Sequence, residues 1–190
     1  KTGNQFFFIS NLAEWHFSCR TRYNEEWLKK TGPLNKKEKE ALKNISKILK
    51  KYGFKQYLGI PFFIEDNKNV WKELRKCVTN QEYKILKGVF SVFEERFKKI
   101  WDPMFLENNI KMFKKENNRS CYKKIDKYLE NFFGKYNKNK LDVFLLRHPV
   151  DNWYIAGGAN LGDKGITLEC NKLIYPRHAS VEVAIATAYH

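Results

Sequence analysis

No two of the four cysteines, Cys19, Cys77, Cys121 and Cys170, stand close enough to form a C-x-x-C pair. That argues against a cysteine zinc site or a redox dithiol. Each falls at or near an apolar position, so buried free thiols are expected and nothing demands an oxidising compartment. No apolar run approaches the ~18 residues of a membrane-spanning helix. No intact signal peptide is visible at the amino terminus, and a cytoplasmic protein is the expectation, although a trimmed leader would leave the same sequence. A G-x-S-x-G elbow, a P-loop and a G-x-G-x-x-G fingerprint are all missing, which removes the commonest serine-hydrolase, nucleotide and dinucleotide signatures. No internal repeat is present.

What is there is a core. Hydrophobic residues make up 43% of 190 positions and aromatics 16%, enough for one good-sized domain or a domain with a small lobe. The formal charge is +15. Its lysines are spread along helices, as at Lys36-Lys37, Lys50-Lys51, Lys98-Lys99 and Lys114-Lys115. Solvated helix faces are the default reading of such a spread. A nucleic-acid or anionic-surface role would need the lysines gathered on one side.

The chain changes character near residue 138. Before it the period is helical. Phe6 to Ile9 reads as a strand or buried lead-in, and Ser10 or Asn11 could cap the helix after it. Leu12, Trp15, His16, Cys19, Tyr23 and Trp27 recur at three and four, predicting one helix that Gly32-Pro33 ends. Leu42, Ile45, Leu49 and Tyr52 predict a second, closed by Gly53. Tyr57 to Ile64 is apolar but holds Pro61, so it reads as a buried connector or edge strand. A third helix carries Val70, Trp71, Leu74, Cys77 and Val78. Thr79 and Glu82 have capping-box spacing and open a fourth, which Pro103 breaks. Further helices are expected over 105–115 and 120–133.

After residue 138 the pattern becomes short strands: Leu141 to Arg147, Asn152 to Asn160, and Ile166 to Cys170 beyond a Gly162–Gly165 turn. Ser180 to His190 then begins a helix that is apolar almost all round, the mark of a buried one. The fold class expected is therefore α+β: a helical region over 1–138, then a small mixed sheet with a buried helix over 139–190. The chain starts at Lys1 without an initiator Met and stops on His190, and so reads as a fragment.

The four histidines, His16, His148, His178 and His190, offer no i, i+4 pair. Glu14 and His16 are two apart and point to different helix faces. Glu25 and Glu26, His148, His178 and Glu182 are further candidates, each with a plain structural alternative. The larger pattern is architectural. A strand, a glycine-bearing edge strand, a third strand and an apolar helix arriving at a histidine resemble the lead-in to the catalytic helix of zincin metallopeptidases, gluzincins in particular. The resemblance covers roughly residues 141–190 and rests on V-A-I-A-T-A-Y-H, residues 183–190.

The resemblance implies an H-E-x-x-H helix in which His190 is the first zinc ligand and a glutamate is the general base for metal-bound water. That glutamate and the second histidine are not among these residues. It also implies an edge strand, here Gly158-Ala159-Asn160, that pairs with an extended peptide or protein substrate by main-chain hydrogen bonds. The competing expectation is a non-enzymatic basic helical module that binds nucleic acid or an acidic partner.

Overall fold

The computed structural model describes residues 1–54, 56–65, 69–117, 124, 127, 128, 131, 142–150 and 157–170. Among the described residues, seven helices precede a three-stranded mixed sheet, an α+β architecture. The expected helix over 180–190 lies outside the described residues, and the one over 120–133 lies largely so. Among the described residues no helix is long and apolar enough to cross a membrane.

The chain forms two units. The first is Lys1–Trp101 with His148–Val150. Its centre is α1 (Thr2–Leu12), where Phe6, Phe8 and Ile9 are buried. The Phe6–Ile9 run is thus helical. Four apolar residues fit either period, and tertiary packing decides between them. Phe6 stacks on Phe62 of α4 (Ile60–Ile64), centroids 4.6 Å apart, and Phe62 stacks on Phe90 of α6 (Asn80–Lys98) at 4.7 Å. Gly3 permits this approach: a Cβ there would meet the Phe63 ring at 2.6 Å. Pro61 sits in the first turn of α4, where no amide is needed. The segment is therefore a short helix and not an edge strand.

The single helix expected through Leu12–Trp27 is two. The chain turns after Leu12 with Glu14 at φ 45°, and α2 starts at Thr21 (Thr21–Thr31). Asn11 makes the corner. Its Oδ1 accepts from the Arg20 amide at 2.9 Å, and its Nδ2 donates to Asn24 Oδ1 at 2.7 Å. The spacing does not betray this corner because aromatics of both helices turn inward: Phe8 of α1 meets Trp27 of α2 edge-on at 5.0 Å.

Helix α3 (Lys36–Tyr52) follows its expected stripe. Helix α5 (Val70–Cys77) buries Val70 and Leu74, but Cys77, expected inward as a buried thiol, is exposed because the helix ends there. Both α3 and α6 carry complete capping boxes, Asn35 with Glu38 and Thr79 with Glu82. Each box satisfies two otherwise orphaned amides. Glu38 does more. Arg96 of α6 donates to its Oε1 at 2.8 Å and to its Oε2 at 2.7 Å. The same guanidinium donates to Thr31 Oγ1 at 2.7 Å, the Gly32 carbonyl at 2.6 Å and the Pro33 carbonyl at 2.9 Å. All five N–H donors of the arginine are used. The side chains are 9% and 8% exposed, so little water is left to compete. One ion pair thereby fixes the end of α2, the start of α3 and the last turns of α6.

The second unit holds α7 (Pro103–Asn117) and the strands β1 (Val143–Arg147), β2 (Gly158–Asn160) and β3 (Ile166–Cys170). Asp102 Oδ1 accepts from the Phe105 amide at 3.1 Å and caps α7. Its other oxygen lies 3.6 Å from Arg147, whose guanidinium covers the Phe105 ring at 4.8 Å. The order is β1-β3-β2, with β1 parallel and β2 antiparallel to β3.

Replacing Arg96 by alanine should lower the stability of the first unit by about 3–5 kcal/mol, because Glu38 is left buried and unpaired; urea unfolding would measure it, and a loss below about 1 kcal/mol would contradict it. The acid limb follows from Glu82. Burial pushes its carboxyl up, but hydrogen bonds from Lys51, Thr79 and Tyr52 outweigh this and bring it down to about 2. The folded value lies below the unfolded one of about 4.3. Its stabilisation is thus complete above that pH and lost as pH falls toward about 2. Glu82→Gln should flatten stability against pH over this window, whereas parallel curves for the two proteins would rule the linkage out.

Candidate functional site

Hydrogen bonding gives β2 a direction. The Gly157 carbonyl accepts from the Glu169 amide at 2.7 Å, and the Leu161 amide donates to the Gly165 carbonyl at 2.9 Å. Both point to β3. Between them Ala159 pairs with Thr167. Main-chain groups alternate along an antiparallel strand, so those of Gly158 and Asn160 point away from β3. Both residues are exposed. Among the described residues β2 is the sheet's outer strand on that side, and it presents two donor–acceptor sets to the open.

The residues around β2 hold this geometry. A Cβ on Gly158 would run into the Thr167 carbonyl of β3, so the glycine is dictated from inside the sheet. Thr167 is 2% exposed. Its Oγ1 accepts from the Ala159 amide at 2.8 Å and fastens the middle of β2. Sequence reasoning did not single out this threonine; an alternating strand with one inward polar residue, I-T-L-E-C, was the available signal. Asn160 Oδ1 accepts from the Gly162 amide at 2.7 Å, which closes the turn into the 3₁₀ segment Gly162–Lys164. That oxygen is committed to the turn. At Gly165, φ is 128°, and a Cβ would strike the Asp142 carbonyl.

The other candidates are dispersed. His16 is half-buried, its Nδ1 lying 2.9 Å from Ser18 Oγ and accepting from the Ser18 amide at 3.2 Å. Its ring meets the exposed Phe17 at 4.0 Å and Phe54 at 4.4 Å. Glu14 accepts from Asn24 at 3.0 Å, and Glu26 pairs with Lys29 at 2.6 Å. His148 is buried and lies parallel to Tyr23 with centroids 5.1 Å apart; its Nδ1 accepts from the Val150 amide at 3.3 Å. Cys170 is buried, and burial pushes its thiol up to about 12. Burial also raises Cys19. Neither is a thiolate nucleophile near neutral pH.

His178, Glu182 and His190 lie outside the described residues. Among the described residues no three His, Cys, Asp or Glu side chains gather as metal ligands. The described residues therefore do not make a zinc centre by themselves. No family profile, curated protein or solved structure matches the chain.

Because Thr167 O leaves no space for a side chain at Gly158, Gly158→Ala should loosen β2 from β3. In the variant the Cys170 thiol should react with a maleimide several-fold faster than in the parent under native conditions, with the labelled site mapped by mass spectrometry. Equal labelling rates would show that the strand tolerates the methyl group.

Proposed function

We propose that the chain contributes the substrate-engaging sheet of a zincin-like metallohydrolase, a peptidase that lays an extended peptide along β2. The observation that carries this reading is the open edge: Gly158 and Asn160 direct their main-chain donors and acceptors away from β3. An extended peptide pairing there gains hydrogen bonds at alternate residues without reference to its side chains, which suits a protease acting on varied sequence. The antiparallel sense of β2 against the parallel pair β1 and β3 makes it distinct from the rest of the sheet. His190 is the residue assigned to zinc, with the glutamate base and further ligands supplied by the native polypeptide outside these 190 residues. A bound zinc would polarise the scissile carbonyl and activate water.

The test uses the native polypeptide with zinc content and casein hydrolysis read side by side. His190→Ala should lose both. Asn160→Pro removes the outward amide and should lower hydrolysis about tenfold or more with zinc retained. Asn160→Asp keeps both the amide and the turn oxygen and should stay close to the parent. Zinc that is the same with and without His190, or absent from both proteins, would sink the metal assignment. Unchanged hydrolysis in Asn160→Pro would sink the edge-strand role alone.

A further inference from the structure

The lysines of α3 are sorted by the helix. At 100° per residue, Lys36, Lys39, Lys43, Lys47 and Lys50 fall within an arc of about 80° and extend about 21 Å along the axis. All five are exposed. The opposite face is the buried stripe of Leu42, Ile45, Ile48 and Leu49. Among the described residues none of the five makes an ion pair. Glu40, which lies beside the row, makes none with them either. Elsewhere the same unit pairs four lysines with carboxylates, Lys29 with Glu26, Lys51 with Glu82, Lys76 with Glu73, and Lys98 with Glu94 and Glu95. Single lysines such as Lys72, Lys84 and Lys99 have no ion pair among the described residues, but α3 carries five in one row. Like charges three and four apart on a helix repel one another. The row is thus a run of exposed like charge on an otherwise well-capped helix, and an external polyanion would offset it.

We infer that this lysine row is a contact surface for the phosphate backbone of nucleic acid. Neighbouring charges rise about 4.5–6 Å along the axis, from 1.5 Å per residue. Phosphates recur about every 3.4 Å per strand along a duplex axis, so a row about 21 Å long runs past about six of them. No apolar side chain is exposed in the row, because the apolar stripe of α3 faces the core. An amphipathic helix that enters a membrane needs such a face free, and protein partners are anchored mainly by aromatic and arginine contacts in desolvated pockets. A backbone of phosphates needs only charge, and its binding energy comes from displaced counterions. The surface lies on the first unit and is independent of the peptidase reading.

The experiment follows binding of a fluorescent mixed-sequence DNA duplex by anisotropy against salt. Five phosphate contacts should give a log–log slope of about −4 to −5. The variant K39Q/K43Q/K47Q should flatten that slope by about 2–3 units and weaken binding about tenfold or more near 0.1 M salt. The variant K29Q/K76Q/K98Q removes the same charge from paired lysines and should keep the slope of the parent. All six positions are on exposed helix faces, and circular dichroism checks that both variants fold. Equal losses in the two variants would reduce the effect to net charge and overturn the assignment. So would absence of duplex binding at low salt. Binding to polyglutamate, or to phosphatidylcholine vesicles containing phosphatidylserine, as tight as to the duplex would overturn it as well.

Discussion

The first unit depends on a charge pair placed where water is scarce. Arg96 reaches from α6 to Glu38 at the start of α3 and to the carbonyls of Gly32 and Pro33 that follow α2. Taking two charges out of water is costly, and the mutual attraction repays it only when the remaining donors and acceptors are satisfied. Here they are. Burial alone pushes the Glu38 carboxyl up, but the Arg96 hydrogen bonds, the Asn35 amide and nearby positive charge hold it below its ordinary value. The capping box uses the same carboxylate, so the helix start and the inter-helix bond stand together. The aromatic stack of Phe6, Phe62 and Phe90 fills the space between the helices thus placed.

The sheet is organised by a different constraint. Its strands are short, and backbone contacts leave little freedom in residue choice. Gly158 is required because the Thr167 carbonyl occupies the space of a side chain, and Gly165 because the chain turns at positive φ against Asp142. Thr167 and Asn160 satisfy main-chain amides at the middle and end of β2. The result is a strand whose inner groups are bonded and whose outer groups face away. For the peptide engagement proposed above, such an edge needs no reactive side chain, since the main chain would do the recognising.

Legibility in the sequence followed the range of the physics. Helices α3, α5 and α6 were readable because their apolar stripes and the Thr79 capping box are local. The corner between α1 and α2 was not, because Asn11, Arg20 and Asn24 close it through side-chain bonds while the hydrophobic period runs on undisturbed. Phe6–Ile9 and Tyr57–Ile64 were too short to fix a period. The Arg96 pair joins residues 58 apart in sequence, and nothing near either partner announces it. At the candidate site, the glycines pointed to an edge near 158–160, but the identity of the backbone pressing on Gly158 came only from the register with β3. Small residues tell that something approaches closely, without telling from which side.

The openness of β2 is the claim on which the functional reading rests, and amide hydrogen exchange reads it residue by residue in the free protein. The amides of Ala159 and Leu161, bonded to Thr167 Oγ1 and the Gly165 carbonyl, should be protected. Those of Gly158 and Asn160 should exchange at rates near those of exposed loops. Protection of all four amides alike would mean that another strand already occupies the edge, and the site for an incoming peptide would be gone.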